Sequence, residues 1–375
     1  MRAYVFTDKA LAKHAGQFVW LSIDTEKAQN AAFSKKYPIR AWPSMYVIDP
    51  DKEKIALRWV GGATVAQLEK LFADGLKAVQ PAGGDGPALA RADRLYGDGL
   101  YQDAIAPYGE ALKAMSPKDP QYNRALEALL FCYQAGHRDA DCAALARERI
   151  ASVKGTTSFA SLAGSGLDCA LGLPESDAGR AGQVAAFTKD VRASLDDPAL
   201  RLAADDRSAL YSSLFDERED AKDEAGARKI ADAWVDELSA DAARAATPEQ
   251  RTALDPDRLG AFTAAKRLEE AIPMLEQSAK DFPQDYNPPA RLAHVYFLLK
   301  RYDEAMASSD RALSLVYGPR RIRVLSERAE IQQARGDRAA ARKTLEEAVR
   351  FADGLPEGQR NEEQVVSLRR KLDAI

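Results

Sequence analysis

The chain has 375 residues, more than one compact core of roughly 150 residues requires, so two structural units or a repeat array is the expectation. Apolar residues make up 46% and charged residues 29%, which suits a folded protein and excludes a disordered or disulfide-scaffold chain. A net charge of −4 without a long basic stripe argues against nucleic acid as partner, and apolar runs such as Phe18-Val19-Trp20-Leu21 are far too short to cross a bilayer.

The opening, MRAYVFTDKALAKHAG, is charged throughout and lacks an apolar export core, so the chain as written reads as cytoplasmic. Arg2 to Ala15 predicts a helix ended by Gly16, and Phe18 to Ile23 a buried strand ended by Asp24. A helix is expected from about Thr25 to Lys36. Ser44 to Ile48 and Lys54 to Val60 read as an antiparallel hairpin turning at Asp49-Pro50-Asp51-Lys52. Thr64 caps a further helix, to about Lys77, with Leu68, Leu71 and Phe72 as its apolar stripe. The Pro/Gly-rich stretch over 80–87 is a linker. It divides an α/β part, 1–79, from an all-α part, 88–375, rich in Ala, Leu, Glu and Arg.

The run Lys36-Tyr37-Pro38-Ile39-Arg40-Ala41-Trp42-Pro43-Ser44, followed by a hairpin, Val60-Gly61-Gly62 and an amphipathic helix, resembles the second half of the thioredoxin fold over about residues 1–78. The resemblance implies that the proline at Pro43 is cis and that Ile39, Trp42 and Pro43 border a groove for an extended peptide. The family's C-x-x-C and the strand before it have no counterpart here. In the family that strand lies between those matching Phe18 to Ile23 and Ser44 to Ile48. Its absence leaves edges whose buried polar groups cost ~1 to 3 kcal/mol each when unpaired. Either the chain starts downstream of its biological start, or another strand fills the slot.

The all-α part repeats with a period near 34, as two-helix units that cannot bury their apolar faces alone do. Arg267-Leu268-Glu269-Glu270-Ala271 is echoed by Arg301-Tyr302-Asp303-Glu304-Ala305 and by Arg338-Ala339-Ala340-Ala341, with Ser278, Ala312 and Ala348 seven residues after the small residue. Tyr101-Gln102-Asp103-Ala104 opens an earlier copy. These residues resemble the tetratricopeptide repeat, with Ala92, Ala293 and Ala329 inside first helices and Gly99 and Gly336 at turns. Between about 121 and 257 the period degrades; Leu126 to Cys142 and Glu224 to Leu238 still read as helix-turn-helix units, and Ser239 to Pro256 as a loop or insertion.

Catalytic motifs are absent: there is no P-loop, no H-E-x-x-H, no G-x-S-x-G, and no metal or cofactor signature. Gly164-Ser165-Gly166 reads as a helix junction and 216–220 as a solvated charged turn. His294 lies in a first helix as a possible groove contact, and Cys132 and Cys142, symmetric about Gly136-His137-Arg138, as a possible disulfide. A carboxylate clamp of the kind some tetratricopeptide domains carry would need Lys, Arg or Asn where Leu89, Asp93, Ala290, His294, Ser326 and Glu330 stand. The expected architecture is a thioredoxin-like domain with an incomplete sheet, followed by a tetratricopeptide-like solenoid. The expected function is binding of a protein or peptide, redox-inactive as written and without a cofactor, with self-association open. The alternative is a thiol-disulfide oxidoreductase or disulfide chaperone whose C-x-x-C lies upstream of Met1, which would be periplasmic if an export signal was lost with it.

Overall fold

The structure, a computed structural model, describes residues 5–39, 43–60, 63, 65–79, 88–119 and 121–375. Its contacts form two compact units, one from Met1–Gln17 with Arg40–Arg244 and the other from Phe18–Ile39 with Ala245–Ile375. The expected linker, 80–87, lies outside the described residues.

The N-terminal elements are shorter than their sequence predicts. In place of a helix to Ala15 there is a 3-10 turn, Lys9–His14, started by the Asp8 carboxylate, whose Oδ1 accepts from the Ala10 N–H at 2.8 Å. The helix expected from Thr25 is a 3-10 turn at Ala28–Asn30 running into α1 (Ala31–Lys36). Phe18 to Ile23 is not a strand: Val19 is 88% exposed and Leu21 71%. A strand is stable only against a partner backbone, and among the described residues the sheet holds two strands that pair with each other alone.

That sheet is the expected hairpin, β1 (Ser44–Asp49) against β2 (Lys54–Val60), with Met45 opposite Trp59 and a bulge between Val47 and Ile48. The Asp49 carboxylate accepts from the N–H groups of Asp51 and Lys52, which closes the turn. Helix α2 (Val65–Val79) packs on the hairpin through Leu68, Leu71 and Phe72, all at most 5% exposed. Gly75 permits this approach, because a Cβ there would lie 2.7 Å from Val47. On its other side β2 meets α3 (Ala88–Gly97), where Arg58 is buried with its guanidinium 4.5 Å from the Tyr46 ring centre.

Helical hairpins make up the rest of the first unit: α3 with α4 (Tyr101–Ala114), α5 (Tyr122–Ala135) with α6 (Asp139–Arg149), α7 (Thr157–Gly172) with α8 (Arg180–Asp196), and α9 (Ala204–Asp220) with α10 (Glu224–Arg244). The second unit continues with the short α11 (Pro248–Thr252), then α12 (Asp255–Ala264) with α13 (Ala271–Asp281), α14 (Asn287–Leu298) with α15 (Tyr302–Leu315), α16 (Arg320–Ala334) with α17 (Arg338–Asp353), and a last helix, α18 (Glu362–Asp373).

The turn inside most hairpins is one device repeated. Gly99, His137, Lys222, Lys266, Lys300 and Gly336 all adopt a left-handed backbone. The next N–H then reaches back to the carbonyl five residues earlier, as in Arg301 to Tyr296 at 2.8 Å and Arg138 to Tyr133 at 2.9 Å. This Schellman closure satisfies the last carbonyls of the first helix and starts the second. Small residues then let the helices cross: Ala271, Ala305 and Ala341, the periodic alanines, are each 0% exposed, as are Ala312 and Ala348, with Ser278 at 1%.

Four expectations for the degenerate middle are corrected. Gly164-Ser165-Gly166 lies inside α7, where a Cβ on Gly166 would stand 2.4 Å from the Phe187 ring of α8, so the glycine is a packing site and not a junction. Glu224 to Leu238 is part of one continuous helix, α10, whose first-helix partner is α9. Residues 216–220 close α9 as helix, with Arg180 Nη2 donating to Asp220 at 2.6 Å. The stretch 239–256 is mostly helical, because α10 runs to Arg244 and Thr247 caps α11 by accepting from the Gln250 N–H.

Candidate functional site

In the first unit the first helices touch one another directly, α3 with α5, α5 with α7 and α7 with α9, whereas successive second helices make no contact of similar extent. The first helices therefore form the inner row of this stack, and side chains at their seams face whatever the row receives.

Each seam carries a carboxylate. Between α3 and α5, the Arg124 guanidinium donates to both oxygens of Asp93 at 2.7 and 2.8 Å, and the Tyr108 hydroxyl donates to Asp93 at 2.8 Å. Between α5 and α7, Glu127 is set against the hydroxyls of Ser158 and Ser161, while its Oε1 is shut off from solvent and has no hydrogen-bonding partner among the described residues. Burial pushes the Glu127 carboxyl up to about 7, and the charge of Asp206 adds to the effect. Between α7 and α9, Asp168 faces Ser213. Asp168 remains open to solvent, yet the surrounding protein pushes its carboxyl up to about 6, with Asp216 adding repulsion. Asp216 is raised in the same way, by desolvation and then by Glu219. Among the described residues, the charges that act most on Glu127, Asp168 and Asp216 are those of other carboxylates.

A carboxyl whose folded pKa lies above its unfolded value contributes its stability below the unfolded value and loses it as pH rises to the folded one. For Glu127 that window runs from the ordinary 4.5 to about 7. At about 1.4 kcal/mol per pKa unit, Glu127→Gln is expected to raise unfolding free energy by up to about 3 kcal/mol at pH 8 and to leave it near wild type at pH 4. Urea denaturation at the two pH values checks this; a gain independent of pH would show that Glu127 is not the group involved.

In the second unit His294 on α14 bonds through Nδ1 to Glu327 on α16 at 2.8 Å, with about half its side chain exposed, so it does face a seam between first helices. Lys371 on α18 donates to Ser326 and Glu330 at 2.9 and 2.7 Å, and Ala290 packs beside a small apolar cluster. Deeper, Asp255 is fully buried; its carboxyl is raised chiefly by burial, opposed first by the Ser278 hydroxyl and then by the charges of Arg291, Arg258 and Arg251.

Ile39 is half-buried and belongs to the second unit, Pro43 is exposed and belongs to the first, and Trp42 lies outside the described residues. The disulfide is not Cys132–Cys142 but Cys142–Cys169, with a Cα–Cα distance of 6.0 Å, joining α6 to α7. Helix α6 leans far more extensively on α7 than on α5, which brings Cys142 to Cys169 and away from the hairpin partner. Cys132 keeps a buried thiol whose pKa burial pushes up to about 12.

One feature of the second unit has no sequence signal. Residues 18–39 lie on the turns that precede its first helices, beside a cleft of about 370 Å³ lined by Asp24, Glu26, Asp285, Tyr286, Tyr317 and Arg320, among others. Arg320 Nε donates to Glu26 at 2.7 Å and the Tyr317 hydroxyl donates to Asp24 at 2.5 Å, which pushes the phenol up to about 12.

A family model described as tetratricopeptide repeat matches residues 286–353, which span α14 to α17. The chain is similar to a solved tetratricopeptide repeat protein from Parabacteroides merdae, with 11% identity over 76% of this chain and 97% of that one and a TM-score of 0.44. It is also similar to a thermophilic tetratricopeptide repeat protein from Thermus thermophilus, with 16% identity over 76% and 96% and a TM-score of 0.27. No curated protein matches. No helix among the described residues is long and apolar enough to cross a membrane. The tetratricopeptide likeness therefore holds for α14 to α17, and the rest of the helical part continues as stacked helical hairpins.

Proposed function

We propose that this chain is a protein-binding adaptor, redox-inactive as written, in which the inner row of the first unit receives a protein segment carrying basic side chains. One observation carries the reading: Glu127, Asp168 and Asp216 follow one another on the successive first helices α5, α7 and α9, each crowded by protein and by a further carboxylate. Carboxylates crowded by protein and by like charge favour an incoming Lys or Arg, whose charge offsets their lost hydration and the repulsion that Asp216 exerts on Asp168. The finer architecture, a thioredoxin-like part over 1–79 set off by a linker over 80–87, is part of the same proposal. It is supported by the hairpin and α2 in the family's order and packing, and it would place a second contact at Ile39, Trp42 and Pro43.

The test is selection of displayed random peptides on the full chain, followed by anisotropy titration of the winners. Basic peptides are expected, with binding weakened about tenfold or more by Asp216→Arg and unchanged by Lys189→Glu on second helix α8. Peptides without basic bias, or equal losses from both variants, would overturn the reading.

A further inference from the structure

The turns that precede the first helices of the second unit hold a segment of the same chain as a receptor holds a peptide. The segment is shaped by its own bonds: Asp24 Oδ1 accepts from the Glu26 N–H at 3.0 Å, and Asn30 Nδ2 donates to the Asp24 carbonyl at 2.7 Å. This folds 24–30 into a compact acidic turn before α1. Three successive inter-repeat turns meet it. Asp285 and Tyr286, before α14, line the cleft beside Asp24 and Glu26. Tyr317 and Arg320, at the start of α16, take the Asp24 and Glu26 carboxylates. Before α18, Gln359 Nε2 donates to the carbonyls of Thr25 and Lys27 at 2.8 and 2.9 Å, and Glu357 accepts from Lys35 Nζ at 2.6 Å.

The receptor's glycines fit backbone as well as charge. A Cβ on Gly318 would stand 2.1 Å from the Glu26 carbonyl oxygen, and one on Gly358 would stand 2.2 Å from the Ala31 oxygen and 2.7 Å from the Lys35 nitrogen. Gly318 has φ +60, which by itself favours glycine; Gly358 has no left-handed φ, so the approaching segment is what demands a missing side chain there. Side-chain recognition of two carboxylates, amide recognition of two carbonyls and a glycine that admits the backbone are together the parts of a peptide site.

We propose that this row of turns is a binding site for an Asp-x-Glu segment followed by a short helix, that residues 23–36 are its resident occupant, and that an acidic segment of this pattern on a partner protein displaces them. The proposal rests on the adaptor reading but concerns a different surface and the opposite charge. A tethered occupant competes at an effective concentration near millimolar, so the site stays closed to weak ligands and opens to a segment that outbids it.

The experiment uses the full chain and a fluorescein-labelled peptide of residues 22–36. Asp24→Ala with Glu26→Ala weakens the resident segment and leaves the receptor intact. This double variant should bind the peptide at least about tenfold more tightly than wild type, and adding Gly358→Ala should abolish the gain. Arg320→Glu in the same background should lose the peptide and recover it when the peptide carries Lys in place of Glu26, a rescue that a merely misfolded variant would not give. Equal affinity of wild type and double variant, no saturable binding up to about 1 mM, or failure of the charge swap would overturn the proposal. Basic peptides selected on the inner row are titrated against the same variants: if they still bind, the loss is specific to the edge site and the adaptor reading stands.

Discussion

Replacing Cys142 and Cys169 by serine is expected to lower the unfolding free energy of the first unit by about 3 kcal/mol and to leave the second unit's transition in place. The bond closes a sequence separation of 27 residues, and restricting the unfolded chain over a loop of that length contributes about 3 to 4 kcal/mol in the chain-entropy account. It also ties the second helix of one hairpin to the first helix of the next, α6 to α7, at the repeat where the small-residue period fades. Reduction of the wild-type protein should reproduce the loss, and Cys132→Ser, at a buried thiol outside the bond, should lose the same amount on reduction as wild type does. Urea titration followed by far-UV circular dichroism, with and without dithiothreitol, decides it. Identical curves in the two conditions would mean that the bond contributes nothing to the fold.

How far such features can be read from residues alone depends on whether their cause is local. Ala271, Ala305 and Ala341 announce the helix crossings because each hairpin needs a small residue at the same step, and all are fully buried. The β hairpin is equally local: alternating apolar residues flank a turn that Asp49 closes with its own side chain. Helix α7 was hidden because Gly164, Gly166 and Gly172 look like helix breakers, and only the Phe187 ring of the neighbouring helix gives Gly166 a reason to be helical. Phe18 to Ile23 misleads in the opposite direction, since its composition suits a strand and no partner strand meets it among the described residues. His294 was legible as a first-helix residue because its repeat is regular. Glu127 and Asp168 were not, because the neighbours that push up a carboxyl on an exposed-looking helix face arrive only when the next hairpin stacks against it. The same holds for Cys142, whose partner is set by the packing of α6 on α7 and not by its spacing from Cys132.

Arg124→Ala is the substitution expected to cost most, about 3 to 5 kcal/mol, and its value lies in what it leaves behind. Both members of the Asp93–Arg124 pair are nearly buried, with side chains 11% exposed, and the fork is bidentate. Burial works against the guanidinium charge, but Asp93 outweighs it and holds the pKa above the ordinary arginine value. Removing Arg124 strands Asp93 in the α3–α5 seam with the Tyr108 hydroxyl as its remaining contact there, and a carboxylate in that position has lost water without gaining a cation. Removing both charges does not have this consequence. Asp93→Leu with Arg124→Leu should therefore recover most of the loss, because a buried ion pair often does no better than apolar side chains of similar volume. A double-mutant cycle in urea, with the coupling read as the departure from additivity, separates the two accounts. Strong coupling and a near-native double variant would make the pair a device that sets how α5 stacks on α3; additive losses would instead mean that each side chain contributes by packing alone, and that the charge at the head of the inner row is incidental to its alignment.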